Sequence, residues 1–331
     1  MRIIKIGLLG SMGLLSSMAQ SEEVLKGKWQ PGFSGNATFL VGAVESNSQE
    51  NSGNDTIYSI NEKGKKKTDT FFFPIAASNL SYTFSNGNQR ILLGTNNADI
   101  ALGRPHVEVG YKQYIDDIGI LGVSYIPGVV PATTWEDPFL VGEKRQETDQ
   151  KIHGFRFQYN DILDTHFGLE VSIGQKELDT ETSGSQYSPE IQEQLNRNGD
   201  IYYTELSHLD PLSESLFLRS SASYLRQNLD GDAMSSDTYT AQLAFLKQFK
   251  RSTFTLSVKY KYSNFDGIHP LFLSSREDNF IGLFSTYVYK NAFGVKGMGL
   301  ALGAGYSYNA SNLDFYIDES VLLSTGVSYS F

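Results

Sequence analysis

The 331-residue sequence contains no cysteine, only two tryptophans, and fewer basic than acidic residues. The absence of cysteine excludes a disulfide scaffold, so the chain must be held together by other means. An excess of 37 acidic over 27 basic residues argues against a nucleic-acid partner, because phosphate binding requires clustered Lys and Arg. Beyond the N-terminus, no stretch is apolar enough for a membrane helix of about 20 residues. Abundant Tyr, Phe and Gly in short alternating runs are instead typical of a membrane β-barrel.

The N-terminus has the features of a cleaved secretory signal. Arg2 and Lys5 form a positive region, and residues 6–15 form an apolar segment too short to anchor the chain in a membrane. Small residues next to Ala19 suit a signal peptidase, so we expect residues 1–19 to be removed. The remaining residues, 20–331, carry 25 basic and 37 acidic side chains, a net charge of −12.

The C-terminal segment carries the clearest structural pattern. Apolar or aromatic residues occupy nearly every second position from Val321 to Phe331, and the positions between them are mostly Ser and Gly. This period of two predicts a strand with lipid on one side and a polar interior on the other. The aromatic end, with Val327, Tyr329 and Phe331, resembles the signal read by the barrel-assembly machinery, which is therefore an expected partner during biogenesis.

The same alternation recurs along the chain, for example in residues 254–262 and 300–308. It predicts an all-β fold: a single transmembrane antiparallel up-and-down β-barrel of about fourteen strands, with twelve or sixteen as alternatives. We expect one barrel domain over residues 20–331. The predicted strands are residues 33–46, 70–84, 90–96, 105–114, 118–126, 151–160, 166–177, 199–207, 215–227, 237–248, 252–264, 278–289, 298–309 and 319–331.

The lengths of the predicted connections alternate, as expected for a barrel with short periplasmic turns and long external loops. With an even strand number, both chain ends would then lie on the periplasmic side. The short links include residues 85–89, 115–117, 161–165 and 249–251, and the long ones include residues 47–69, 127–150, 178–198 and 265–277. We therefore expect the outer membrane of a Gram-negative bacterium as the location, with lipid and lipopolysaccharide as its surroundings.

Four segments carry a resemblance to a known family: residues 29–35, 92–95, 98–103 and 134–148. They resemble a gammaproteobacterial family of exported proteins catalogued as domain of unknown function 2860, and the resemblance covers nearly the whole mature chain. It implies residence in the outer membrane. It implies no activity and no catalytic residue, so the function has to come from the residues themselves.

Strand parity predicts which charged side chains face the lumen. A Lys or Arg directed into hydrocarbon near the bilayer midplane costs about 2–4 kcal/mol, so these side chains should point inward. They suggest either a polar lumen that conducts small solutes or a salt-bridge network that fills a closed barrel. Inward glycines, such as Gly305 and Gly326, favour open space. The predicted lumen-lining residues are Glu108, Lys112, Arg156, Glu170, Glu205, Arg219, Lys259 and Lys261.

The link from Pro127 to Gln150 is the third external loop of this topology. By analogy with general porins, a long third loop can fold inward and narrow the pore. The alternative is a surface loop that packs on its neighbours. The candidate constriction residues are Trp135, Glu136, Asp137, Glu143, Lys144 and Arg145.

No enzymatic centre is expected. Asp164-Thr165-His166 and Asp230-Gly231-Asp232 match the paired motifs of omptin proteases, but the predicted topology places them on opposite sides of the membrane, where they cannot converge. No spaced cluster of ligands suggests a metal site, and no cofactor is expected.

Two functional hypotheses remain. The first is a passive channel or porin for small hydrophilic solutes with a mixed-charge lumen. The second is a closed-lumen surface barrel whose external loops bind a phage, a host surface or lipopolysaccharide. The basic run from Lys63 to Lys67 in the first external loop could contact lipopolysaccharide phosphates, although such runs are usually solvated.

Overall fold

The computed structural model describes residues 28–50, 54–73, 78–95, 106–129 and 132–331. The predicted signal and the segment 98–103 lie outside these ranges. The described residues form sixteen strand segments in one antiparallel sheet. They are β1 (Gly32–Ser46), β2 (Lys67–Phe73), β3 (Asn79–Thr83), β4 (Gln89–Gly94), β5 (Glu108–Ile115), β6 (Gly119–Pro127), β7 (Ala132–Trp135), β8 (Glu147–Asn160), β9 (Phe167–Leu178), β10 (Gly199–Ser213), β11 (Leu216–Leu229), β12 (Ser236–Gln248), β13 (Ser252–His269), β14 (Ser274–Lys290), β15 (Met298–Ser311) and β16 (Asp318–Ser330).

Two pairs of segments share a strand position, so the sixteen segments make a barrel of fourteen strands. β2 and β3 both pair with β1, and β6 and β7 both pair with β8. The barrel closes where β16 pairs with β1, from Asn36 opposite Ser330 to Ser46 opposite Ser320. Closure therefore joins the first and last strands of the sheet, while β2 pairs only with β1 and β7 only with β8 among the described residues. The predicted class and strand number are confirmed.

The alternation of the sequence appears as two different faces. In β13, Val258 and Tyr260 are exposed on the outside, whereas Ser257 and Lys259 are buried on the inside. The other strands follow the same rule, and outward residues such as Leu323 form an apolar band around the barrel. An apolar exterior on a closed barrel is what hydrocarbon requires, because no water is present there to solvate polar groups.

The connections divide the barrel into two ends, which we call the turn end and the loop end. The start of β1 and the C-terminal Phe331 lie at the turn end, where the β5–β6 turn is tight and Asp117 has a φ of 63°. The turn end carries residues 84–88, 116–118, 161–166, 214–215, 249–251 and 291–297. The described residues at the loop end are 47–50, 54–66, 95, 106–107, 136–146, 179–198, 230–235, 270–273 and 312–317.

Two predicted long loops were partly wrong. Residues 265–277 are mostly strand, because β13 continues to His269 and β14 begins at Ser274. Residues 127–150 contain β7 and the first four residues of β8, which begins at Glu147. At the loop end the outward residues of these strands are exposed polar side chains such as Asn264, Asp266 and Ser275, so the apolar alternation that lipid imposes is lost there.

One short α-helix, α1 (Pro189–Gln194), lies in the loop between β9 and β10. It begins after Ser188 with Pro189 at its first turn. Leu195, which follows the helix, is completely buried, and Ile191 packs against the same apolar cluster. The helix is therefore a packed part of the loop end. In the described ranges, no helix is both long and apolar enough to cross a bilayer.

Candidate functional site: the lumen wall and the loop cap

The eight predicted lumen residues all lie on the inner face of the wall. Strand register and the exposure of neighbouring residues fix this orientation. For example, Glu108 is buried, whereas the next residue, Val109, is exposed on the outer face. Five of the eight are less than a tenth exposed, namely Glu108, Arg156, Glu170, Glu205 and Lys259. Lys112, Arg219 and Lys261 are half-buried.

Arg156 on β8 is the centre of the charged wall. Its Nη2 donates to Glu170 Oε2 at 2.6 Å, and its Nη1 lies 3.4 Å from Glu108 Oε2. The Ser124 hydroxyl donates to the same Glu108 oxygen at 2.6 Å, and His106 Nε2 is 3.3 Å from Arg156 Nη1. One buried guanidinium therefore neutralises two buried carboxylates, Glu170 on the adjacent strand β9 and Glu108 on β5, two strands away on the other side.

A second ion pair adjoins the first. Glu205 on β10 stands directly opposite Glu170 on β9, an arrangement in which two like charges repel. Arg219 Nη2 offsets this by binding Glu205 Oε1 at 2.7 Å, and the Tyr203 hydroxyl donates to Glu205 at 3.0 Å. We call Glu108, Arg156, Glu170, Glu205 and Arg219 the inner ion network. Each of its carboxylates has an arginine partner.

The inward glycines do not leave the space that the sequence suggested. A Cβ added to Gly305 would lie 2.6 Å from the ring of Phe284, and one added to Gly326 would lie 2.5 Å from the side chain of Leu40. Neighbouring side chains therefore lie flat on these glycines. Lys261 is likewise packed, with its Nζ 4.1 Å from the centre of the Phe280 ring.

The loop end carries an apolar cluster that sequence reasoning missed. Its buried members come from separate hairpins, and Phe139 contacts Phe315 across the cluster at 5.3 Å between ring centres. Because these hairpins are spread around the barrel, their side chains can meet only over its mouth. We call this cluster the loop cap. Its buried residues are Ile57, Phe139, Leu195, Leu229, Ala233, Met234, Leu313, Phe315 and Tyr316.

The predicted constriction loop is part of this cap. Arg145 is buried with its guanidinium 4.5 Å from the ring centre of Trp135, and it donates to the backbone carbonyls of Gln49, Asn54 and Pro138. Burial lowers the pKa of Arg145 to about 10. The guanidinium thus ties the third loop to the first.

The other members of that loop differ in their surroundings. Asp137 is buried and accepts hydrogen bonds from the backbone N–H groups of Phe139, Gly184 and Ser185 at 2.8–3.0 Å. Glu136 is half-buried, whereas Glu143 and Lys144 are exposed to solvent. The loop therefore packs on its neighbours and covers the mouth through Phe139.

Arg276 forms a second tie beneath the cap. Its guanidinium binds Asp278 Oδ2 at 2.6 Å, lies 3.4 Å from Glu50 and stacks 3.3 Å from the ring centre of Tyr316. His269 Nε2 is 2.8 Å from the Tyr316 hydroxyl. Burial raises the pKa of Tyr316, so this phenol stays protonated. The sequence offered only the Arg-x-Asp spacing as a signal, which is too short to be specific.

The protease-like motifs lie far apart. Asp164 and His166 are in the turn between β8 and β9 at the turn end, and Asp230 and Asp232 follow β11 at the loop end. Within the described ranges, no group of three or more His, Asp or Glu side chains is placed to hold a metal ion.

Comparisons with known proteins place these features in context. The family model described as "Protein of unknown function (DUF2860)" matches residues 32–330. No curated protein matches the sequence. Among solved structures, the chain is similar to OmpT of Vibrio cholerae (9% identity, 90% of this chain and 97% of that chain, TM-score 0.46). It is also similar to DcaP of Acinetobacter baumannii (11% identity, 92% of this chain and 100% of that chain, TM-score 0.43). A third similar structure is OprD of Pseudomonas aeruginosa (12% identity, 93% of this chain and 96% of that chain, TM-score 0.39). Similarity this low does not extend to function, which depends on the residues of this chain.

Proposed function

The chain belongs to the DUF2860 family, and we propose that it is an outer-membrane channel for small hydrophilic solutes whose external mouth is closed by the loop cap. One observation carries the proposal: a closed fourteen-stranded barrel has an apolar outer face and a polar, charged inner face. Fourteen strands enclose more space than the eight whose interior side chains alone can fill. Polar groups along the wall of such a lumen are what water and small solutes need.

The orientation follows from the general architecture of bacterial barrels. Short turns face the periplasm and long loops face outward, so the loop end is external and the loop cap lies on the outside of the cell. Solutes would enter from the cap side. Lys112, Arg219, Lys259 and Lys261 favour anions, and this preference is weakened by the carboxylates of the inner ion network.

Closure by the cap makes the channel gated. The cap is held by apolar packing and by the Arg145 and Arg276 contacts, and the chain has no disulfide that would lock it. Partial loosening of this packing should therefore open the mouth without unfolding the strands.

Planar-bilayer recording of the refolded protein tests the proposal. The wild type should show infrequent openings, and a Phe139→Ser, Phe315→Ser double variant should show sustained unitary conductance because the centre of the cap is lost. A matched control is Phe249→Ser with Phe293→Ser, which changes two exposed phenylalanines at the turn end. Silence of all three proteins at high protein-to-lipid ratio would remove the channel proposal.

The second candidate is a closed-lumen barrel whose loops bind an external partner. It is favoured by the buried inner ion network and by a loop cap that has its own apolar core. Lipopolysaccharide is one candidate partner, since Lys66 lies in the first loop of the loop end. Lys66 already pairs with Glu319 at 3.0 Å. Lipopolysaccharide pull-down with the wild type and with a Lys63→Ala, Lys65→Ala variant tests this alternative. Capture of the wild type but not of the variant, together with silent bilayers, would support it.

A further inference from the structure

The outer face of β10–β13 contains a groove of about 580 Å³ within the apolar band. Its floor is formed by Ser220, Ala222 and Ala241, which face outward. Ala222 and Ala241 are paired across β11 and β12, so two adjacent strands lack large side chains at the same level. The walls are formed by Phe167, Leu206, His208, Leu243, Val258 and Tyr260.

The two ends of the groove differ, and we call the end lined by His208 its open end. Toward the loop end, Tyr224 and Tyr239 are the next outward residues after Ala222 and Ala241, and their ring centres are 5.3 Å apart. Toward the turn end it runs past Ser220 to His208, which lies opposite Ser220 on β10. A thin chain could therefore enter from the turn-end leaflet and end at the tyrosine pair.

A polar pair marks the open end. His208 Nδ1 is 3.2 Å from Asp210 Oδ2, and both side chains are partly exposed on the outer face. The imidazole also lies 4.3 Å, centre to centre, from the ring of Phe167. A carboxylate on a lipid-facing surface is costly unless it meets polar headgroups, so this pair places the headgroup region at the open end of the groove.

The shape and the charges of the groove select its occupant. It lies in the band that contacts hydrocarbon, and its concave shape fits a thin acyl chain better than the convex wall of a second barrel. The Asp210 carboxylate can accept hydrogen bonds from an ammonium group, and His208 Nε2 can donate to a phosphate oxygen when the imidazole carries both protons. A zwitterionic phospholipid with a primary amine carries both groups at one end of an acyl chain.

We propose that the groove on β10–β13 binds one amine-headgroup phospholipid of the periplasmic leaflet, with an acyl chain over Ala222 and Ala241 and its headgroup at His208 and Asp210. The site lies on the outer wall and does not depend on whether the lumen conducts. An anionic phospholipid without an amine would meet the Asp210 carboxylate and should bind less well.

Native mass spectrometry of the detergent-solubilised protein with added phosphatidylethanolamine or phosphatidylglycerol tests the proposal. We expect one bound phosphatidylethanolamine per barrel to survive mild activation, with at least ten-fold lower occupancy for phosphatidylglycerol. Ala222→Phe with Ala241→Phe should fill the groove and reduce this occupancy at least ten-fold. The matched control is Ala304→Phe, which enlarges an outward alanine on β15 and should retain the lipid.

Asp210→Asn gives an independent readout of headgroup recognition. It leaves the groove intact and should bring the two lipids to similar occupancy. Heat-modifiable gel mobility verifies folding of each variant, and Ala241→Leu replaces the double variant if that one fails to fold. Equal lipid occupancy in the groove variant, Ala304→Phe and wild type would overturn the proposal, since only non-specific surface lipid would then be present. Loss of a dimer peak in the groove variant, without loss of lipid, would overturn it in favour of a second copy.

Discussion

Replacing Arg156 by alanine tests how far the inner ion network is shielded from solvent. The guanidinium is 2% exposed, and the side chains of its partners Glu108 and Glu170 are 1% and 11% exposed. Removing one partner of a buried ion pair costs about 3–5 kcal/mol, because it leaves charge buried without compensation. Here two carboxylates lose the same partner, so we expect a loss in the free energy of unfolding at the upper end of that range.

Urea unfolding of the barrel refolded into lipid vesicles, followed by tryptophan fluorescence, measures this loss. The matched control is Arg226→Ala, because Arg226 on the outer face binds Asp266 at 2.5 Å with a quarter of its side chain exposed. Partly exposed pairs of this kind contribute about 0–1 kcal/mol. The two variants should therefore differ by several-fold in their effect on unfolding.

The neutral triple variant Arg156→Met, Glu108→Gln, Glu170→Gln separates charge burial from packing. It removes all three charges with side chains of similar size, so it should recover most of the stability that Arg156→Ala loses. If Arg156→Ala instead costs no more than Arg226→Ala, water must reach the inner ion network, and the wall would be a hydrated surface and not a packed one.

Three further predictions follow from other parts of the wall. Lys259→Glu with Lys261→Glu should shift the reversal potential of the open channel toward cations, and an unchanged potential would mean that these side chains do not line the conducting path. Deletion of Phe331 removes the two backbone hydrogen bonds that it makes with Gly35 at the barrel closure, so assembly in vesicles should slow markedly, whereas Phe331→Leu keeps those bonds and should assemble faster than the deletion. Gly305→Val should destabilise the barrel by about 1–3 kcal/mol through the clash with Phe284, measured by urea unfolding, and adding Phe284→Ala should cancel most of that penalty.

The barrel itself could be predicted from the sequence because its signal is local. Lipid outside and polar groups inside impose an alternation that can be followed within ten residues, and thirteen of the predicted strands lie within a few residues of single strand segments. The fourteenth, residues 70–84, is interrupted, because β2 and β3 share one strand position beside β1. Parity also placed charged residues such as Arg156 and Glu170 on the inner face, since the period of two is exact along a strand.

The partners of those residues were decided only by the tertiary structure. Strand parity says that Glu205 points inward but not that it stands opposite Glu170 with Arg219 as its partner. Only the inward-folding third loop, proposed by analogy with porins, hinted at the loop cap, and the outer groove had no signal in the sequence. The Arg276–Glu50 contact joins residues 226 positions apart, and no repeat in the sequence indicates a contact between residues so far apart. Lipid imposes an alternation of apolar and polar residues along each strand, and this alternation can be predicted from the sequence alone. Contacts between side chains of different hairpins form only when the closed barrel brings those hairpins together, so only the tertiary structure decides them.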